Sequence, residues 1–432
     1  MRVFIADVKN LVGSDVTLAG WLLNKRSSGP IQFLEIRDGS GFIQAIVVKE
    51  NVDVSSWESV EKLTQESSLK LTGTISAHPK KQGVFELQVK SVDVVQFALP
   101  EYPIANKEHG PDFLMENRHL WLRSKSQWAI LRVRDVIQTA INEFLHQEKF
   151  IRTDSPVFTP NACEGTTTLF AVPYFDLGEA YLSQSGQLYI EAAIASVGRC
   201  YDFGPVFRAE KSKTKRHLTE FWMMDAEAAF VEHDENMDTQ EALIKHILKR
   251  VLENCTEEFA LLERNPAPLQ TVVDKPFLRL CYDEAIKKLN EMGSDIKYGE
   301  DLGNDDEGLL TQNSDVPVFI HKWPKDIKPF YVKRDPQNNA LALNDDLIGI
   351  EGSGEIIGGS QREDNYELLI ERIRHEGLPE SAYDWYLDLR KYGAVPHSGF
   401  GIGLERMVRW VTQAEHIREC IPFPRTTNRV KP

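Results

Sequence analysis

Residues 204–234 read GPVFRAEKSKTKRHLTEFWMMDAEAAFVEHD. An extended run over 206–210 leads into a basic loop, 211–216, and a second extended run spans 217–231. This is the pattern of a hairpin with a long cationic tip. Side chains alternate between the two faces of a strand. Arg208 and Glu210 therefore share one face of the outgoing run, and His217, Phe221 and Asp225 share one face of the return. An arginine, carboxylates, a histidine and an aromatic on one surface suit a ligand with phosphate, amine and π-face parts.

Outward from the hairpin, the chain is too long, at 432 residues, for one ordinary domain. With 42% hydrophobic and 27% charged residues it can build real cores. No apolar run approaches the ~20 residues of a membrane span. The N-terminus carries Asp7 and Lys9 where a secretory leader would be apolar, so a cytoplasmic location with no membrane partner is expected. Five cysteines without a CxxC pair argue against structural zinc and a disulfide framework. A net charge of −15 argues against nonspecific coating of DNA but leaves open a nucleic acid met through a local basic patch.

Residues 1–98 read as five short strands with one helix, SSWESVEKLTQES, before the fourth, the order of an OB-fold barrel. Such barrels bind single strands through exposed aromatics and polar groups. Arg26, Phe33 and Gln44 are the candidates, with core packing the competing reading for Phe33. Residues 99–118, rich in proline and polar side chains, read as a hinge. From 119 the pattern becomes helical, with Ile130, Val133, Ile137, Ile141 and Phe144 on one face, and turns extended at Pro156. NACEGTTT, 161–168, reads as a lid loop, and 236–263 as one amphipathic helix. The acidic segment 298–308 is expected to be a solvated surface.

The glycine series Gly399, Gly401, Gly403 ahead of Arg406 lacks the βαβ setting of a dinucleotide fingerprint. It reads as a strand that lets a flat ligand approach the backbone. No GxxxxGK[ST] phosphate loop is present, and the lysine-rich 210–216 has no HIGH-type companion, so ATP would lie on an antiparallel sheet. Asp346 and Glu355 supply hard oxygen ligands suited to Mg²⁺ beside phosphates, although each taken alone reads as a solvated acid.

Phe207-Arg208-Ala-Glu210 through Phe221 resembles motif 2 of the class II aminoacyl-tRNA synthetases, Gly401-Ile-Gly403-Leu-Glu405-Arg406 resembles motif 3, and the helix and strand ending at Pro156 resemble motif 1. The order of barrel, hinge and catalytic domain is that of subclass IIb, which charges Asp, Asn and Lys. QSGQLYIEA, FRAEKSKTKRHLTEFWM, GEIIGGSQRED and AEHIRECIPFPRT are similar to bacterial members of its asparaginyl branch. The resemblance covers nearly the whole chain. It implies an α+β protein: an N-terminal OB-fold anticodon-binding domain (1–98), a hinge (99–118) and a class II catalytic domain (119–432) whose antiparallel sheet is flanked by helices.

The same resemblance implies ATP-dependent ligation of L-asparagine to tRNA(Asn) by a homodimer with Pro156 at its interface. It places Arg208 on the α-phosphate, Glu210 near the adenine amino group, His217 and Leu218 beside the nucleotide, Phe221 against adenine, and Arg406 on the γ-phosphate. Glu355 and Asp346 would hold Mg²⁺. Gln187, Glu164, Asp225 and Arg362 would surround the amino acid. Phe33, Gln44 and Glu86 would read the anticodon, and Lys211, Lys213 and Lys215 would meet the acceptor end. Aspartyl relatives read QSPQLYK where this chain reads QSGQLYI, so Ile190 replaces a lysine that neutralises the substrate carboxylate. Arg362 and Asp225 could then read the amide of asparagine, with Asp225 alternatively holding the α-ammonium. An aspartyl enzyme of relaxed specificity, an ammonia-dependent asparagine synthetase and a noncatalytic paralogue are the other readings. Ile190, the barrel and the retained arginines and acids respectively weigh against them.

Overall fold

The computed structural model describes residues 2–104, 107–164, 168–211 and 217–432. The chain divides into two compact units, Met1–Asn117 and Arg118–Pro432.

In the first unit, strands β1 (Asp15–Ser28), β2 (Ile31–Arg37), β3 (Phe42–Val48), β4 (Ser68–Ala77) and β5 (Phe85–Gln96) close a barrel in the order β1-β2-β3-β5-β4. The helix Val54–Lys62 lies between β3 and β4, as the sequence predicts, and Asp53 caps it by accepting from Ser56 N at 2.7 Å. Alternation sends Leu34, Ile36, Ala45, Val47, Leu69, Leu71 and Leu87 inward to a common core. Phe33 is not part of that core; it stands half-buried on the outer face, opposite Arg26 on β1.

The second unit is built on one large sheet. Its strands, in chain order, are β6 (Ile151–Arg152), β10 (Arg199–Phe207), β11 (Glu220–Ala229), β12 (Leu278–Cys281), β13 (Val318–Pro324), β14 (Arg334–Asp335), β15 (Asn338–Gly349), β16 (Gly354–Gln361) and β17 (His397–Gly403), while β7 (Phe158–Thr159), β8 (Ala171–Pro173) and β9 (Glu179–Leu182) form a small separate sheet. The spatial order is β12-β13-β15-β16-β17-β11-β10-β6, with β14 paired to β15. The middle is antiparallel as expected, but both edge pairs, β10 with β6 and β12 with β13, run parallel, so the sheet is mixed.

One face of the sheet is sealed by helices. Ser124 caps the helix Lys125–Gln147, and the five apolar residues at helical spacing are all buried against the sheet. Helices His233–Asn254 and Leu404–Thr412 complete this layer. The expected single helix over 236–263 is two: Cys255 leaves helical geometry at φ −116°, ψ 33°, and a second piece, Thr256–Leu261, restarts after it. Among the described residues no helix is long and apolar enough to cross a membrane.

The hairpin of 204–234 is present but shorter than its extended reading. Its ladder ends at Phe207 opposite Glu220, with one further bond from Arg208 N to Thr219 O at 3.0 Å. Arg208, Glu210 and His217 therefore lie beyond the strand ends, and period-2 alternation does not govern their directions. At the far end Phe230 turns to φ +60° and stops β11. Lys213 and Lys215 fall outside the described residues.

Candidate active site

The sheet face opposite the helices carries a cavity of about 1040 Å³. Arg208, Glu210, His217, Leu218, Phe221 and Asp225 from the hairpin line it, with Glu164, Gln187, Asp346, Glu355, Arg362 and Arg406. These are the residues that five separate stretches of sequence nominated. Lys211 is exposed, and Ile190 does not line the cavity. Ile190 is fully buried in a small apolar cluster with Ile194 and Cys200.

Glycines make room for the acids. In the β11–β17 register Asp225 faces Gly401 and Glu227 faces Gly399. A Cβ on Gly401 would stand 2.7 Å from Asp225 Oδ1, and one on Gly399 would overlap the Glu227 carboxylate. The motif makes room for side chains of the neighbouring strand.

At the deep end, Asp225 Oδ2 accepts from Ser185 Oγ at 2.8 Å and from Gly186 N at 2.9 Å, just ahead of the helix Gln187–Val197. Burial pushes its carboxyl up to about 6, against those two bonds. Arg362 donates through Nε at 2.9 Å and through Nη2 to Glu227 Oε1, and through Nη1 to Ser360 Oγ at 2.5 Å. Burial raises Glu227 to about 7 although Arg362 opposes the rise, and Glu227 Oε2 has no hydrogen-bond partner among the described residues. Gln187 donates to Glu191 Oε1 at 3.0 Å. Glu191 Oε2 in turn takes bonds from Tyr386, Arg390 and His397, which holds Gln187 from behind.

Toward the hairpin tip, Arg208 Nη2 pairs with Glu164 Oε1 at 2.7 Å, and its guanidinium carbon lies 5.8 Å from the centre of the Phe221 ring. Arg208 Nε and His217 Nε2 are buried without partners among the described residues. Two orphaned polar atoms, one of them on an arginine, mark a place for an oxygen-rich ligand. Gln184 Oε1 accepts from Cys163 N at 3.1 Å and Glu164 N at 3.2 Å, fixing the start of the expected lid.

Asp346 on β15 and Glu355 on β16 come together over Gly358. A Cβ there would meet Glu355 Oε1 at 3.1 Å and Asp346 Oδ1 at 3.8 Å. Among the described residues no group of three or more His, Cys, Asp or Glu could hold a metal ion. Two carboxylate oxygens fit a hard divalent cation that keeps water and phosphate as its remaining ligands. Asp346 is bonded to Lys328 Nζ at 2.7 Å and Glu355 to Arg406 Nη1 at 3.0 Å. Burial drives Asp346 up to about 6, with Lys328 opposing and Glu355 adding to the rise. The acidic segment expected to be solvated contributes Asp301, Leu302 and Glu307 to this wall; Glu307 Oε2 accepts from Glu355 N at 3.3 Å.

Family models place this architecture. Residues 110–427 match the model for class II tRNA synthetases of the D, K and N group, and residues 16–95 match that for the OB-fold nucleic-acid-binding domain. The chain belongs to the class II aminoacyl-tRNA synthetases. Within the class, it is 50% identical, over the whole of both chains, to an asparagine–tRNA ligase of Pelotomaculum thermopropionicum. The asparaginyl-tRNA synthetase of Pyrococcus horikoshii, solved with asparaginyl-adenylate, superposes with a TM-score of 0.95 at 42% identity over all of both chains. That of Entamoeba histolytica, also with asparaginyl-adenylate, gives 0.87 at 32%, again over all of both chains.

Four residues of this synthetase site were missed by sequence reasoning: Glu227, Lys328, Gln184 and Glu191. Glu227 had a signal, standing two residues past Asp225 on the same strand face. Gln184 and Glu191 lie within the quoted stretch QSGQLYIEA, and Lys328 is brought in by tertiary pairing alone.

On the barrel of the first unit a smaller cavity is lined by Asn24, Arg26, Phe33, Glu35, Phe42, Ile43 and Gln44. The Arg26 guanidinium lies 4.4 Å from the centre of the Phe33 ring, and Arg26 Nη2 donates to Gln44 Oε1 at 3.3 Å. Gln44 Nε2 donates to Glu86 Oε1 at 2.7 Å, so the four nominated residues form one connected patch. Pro156 is exposed in the segment between β6 and β7.

Proposed function

We propose that the cavity joins L-asparagine to tRNA(Asn) in two steps, through an asparaginyl-adenylate, with AMP and pyrophosphate as the other products. One observation carries the choice of amino acid. At the deep end Arg362 is already matched by Glu227, and the adjacent wall is the Asp225 carboxylate. A neutral carboxamide can donate to a carboxylate and accept from Arg362, whereas an aspartate side chain would add an unmatched negative charge to a buried site. Ile190 supplies no cation to relieve it. Asp225 holds the α-ammonium, and Glu227 with Arg362 reads the amide.

Arg208 takes the α-phosphate, Phe221 the adenine face, Glu210 the adenine amino group, Leu218 packs beside the ring, and His217 and Arg406 meet the outer phosphates. Gln187 and Glu164 complete the amino-acid pocket. The α-carboxylate attacks the α-phosphorus, pyrophosphate leaves, and the terminal ribose hydroxyl of the tRNA then attacks the adenylate carbonyl. No side-chain nucleophile is needed. Positioning, and the charge that Arg208 and Arg406 set against the phosphates, do the catalytic work. Asp346 and Glu355 are the residues that would hold Mg²⁺, which when bound neutralises phosphate charge.

Residues 1–98 act as the anticodon reader, with Phe33 stacking on a base and Arg26, Gln44 and Glu86 hydrogen-bonding; 99–118 serve as the hinge and 119–432 as the catalytic domain. Lys211, Lys213 and Lys215 supply local positive charge for the acceptor end. A second copy covers the exposed apolar side chains Ile151, Val157, Phe158, Phe170, Phe175 and Leu177 around Pro156, giving a homodimer. Five free cysteines accord with a cytoplasmic setting. The test is charging of tRNA transcripts that differ only at the third anticodon base, with Asn and with Asp. Asn on the tRNA(Asn) transcript alone is expected; equal activation of Asp would sink the reading.

A further inference from the structure

Lys328 has no part in the roles given above, yet it is bonded to one acid of the carboxylate pair. Its ammonium is 2.7 Å from Asp346 Oδ2 and 3.8 Å from Asp301 Oδ1, with the lysine side chain only 10% exposed. The same ammonium sits 3.6 Å from the centre of the Trp323 ring, and Trp323 is fully buried. Stacking on a buried aromatic face holds the cation inside the cavity instead of letting it follow solvent. Asp346 is held from its other oxygen by Asn344 Nδ2 at 2.9 Å. Around Gly358 each acid of the pair is bonded to one cation, Asp346 to Lys328 and Glu355 to Arg406, with Asp301 a further, more distant acid beside Lys328.

A divalent cation arriving alone would have to take Asp346 from Lys328 and leave a buried ammonium with only the more distant Asp301, at 3.8 Å, which is costly. Arriving with a nucleotide, it brings phosphate oxygens that can receive the ammonium. We propose that Lys328 couples the metal to the nucleotide, holding Asp346 in the empty enzyme and yielding it when ATP phosphates take its charge. The idea rests on the assignment of Asp346 and Glu355 as metal ligands. It makes Lys328 a positioning residue for the metal site and a phosphate contact in the loaded one.

The probe is Mn²⁺, followed by its electron paramagnetic resonance signal, titrated into the full-length protein with and without a methylene-bridged ATP analogue. Lys328→Met removes the competing charge. Mn²⁺ should then bind the nucleotide-free variant about tenfold more tightly than wild type, within the range of ordinary site couplings. The analogue should strengthen Mn²⁺ binding by correspondingly less, and by reciprocity Mn²⁺ should strengthen analogue binding by the same smaller factor. Lys328→Arg should restore the wild-type coupling, which a merely structural role would not predict. Lys328→Gln repeats the test should the methionine variant fold poorly. Unchanged nucleotide-free Mn²⁺ affinity in the folded Met or Gln variant, with Asp346→Asn still weakening Mn²⁺ in the presence of analogue, would overturn the role of Lys328 alone. Indifference of Mn²⁺ binding to both Asp346→Asn and Glu355→Gln would overturn the metal assignment and the coupling with it.

Discussion

Replacing Gly401 with alanine separates a glycine needed for an acid from one needed only for the strand. The added Cβ would stand 2.7 Å from Asp225 Oδ1 and 3.3 Å from Met223 Sδ. The carboxylate cannot swing freely away, because Oδ2 is held by Ser185 Oγ and Gly186 N. Relief requires giving up at least one hydrogen bond to a charged group, worth about 1.5–3 kcal/mol. If that loss appears as misplacement of the residue that holds the α-ammonium, asparagine binding weakens by roughly 10- to 150-fold. The neighbouring Gly403 is the control, since its added Cβ would meet nothing nearer than the Arg406 stem at 3.9 Å. ATP–pyrophosphate exchange at varied asparagine reads the effect. KM for asparagine should climb in Gly401→Ala and hold in Gly403→Ala, with KM for ATP little changed in the first. A Gly401→Ala enzyme whose KM for asparagine stays within about twofold of wild type would refute the steric assignment.

Arg208→Ala should slow single-turnover adenylate formation by about 10²- to 10³-fold, the usual loss on removing one transition-state charge contact, while near-UV circular dichroism stays native. The Asp225 carboxyl, pushed up to about 6 by burial, ionises above that value, so KM for asparagine should rise as pH falls through about 6. An acid whose pKa is raised on folding gains nothing from folding below its ordinary 3.8 and loses stability as pH rises from there to its folded value. Asp225→Asn should therefore raise Tm at pH 7, with the gain shrinking toward pH 4, even as it weakens asparagine binding. Glu227→Ala leaves Arg362 buried without its acid and should cost about 3–5 kcal/mol in urea denaturation.

Much of the fold was legible because its signals are local. The barrel follows from period-2 alternation and one capped helix before the fourth strand, and the core helix from five apolar residues at helical spacing. What was misread is also local in cause. Arg208 and Glu210 look like strand residues because their neighbours do, but the ladder stops at Phe207 opposite Glu220, a fact of register. The parallel edge pairs depend on which strands the intervening helices deliver to the sheet margins, and alternation says nothing of that. Asp301 and Glu307 look solvated because the segment is acidic, and only the folded wall shows them facing the cavity.

The deeper reason the site was only partly legible is that its charges are matched in space and not in sequence. Among the described residues, each of the five Arg and Lys side chains lining the cavity meets a carboxylate: Arg208 with Glu164, Lys328 with Asp346, Arg362 with Glu227, Arg372 with Glu376 and Arg406 with Glu355. Only the Arg372 pair lies within one helical turn; Arg362 and Glu227 are 135 residues apart. Motifs reveal the arginines because phosphate chemistry calls for them, but not the acids that hold them while the site is empty. Those acids keep several cations together in a half-closed cleft without mutual repulsion unfolding it. They also mean that binding ATP is an exchange of partners, so its net gain is smaller than the count of phosphate contacts would suggest. Arg362 is the exception, since its acid belongs to the same amino-acid pocket. On the proposed assignment, that permanence leaves room for an amide and none for a second carboxylate.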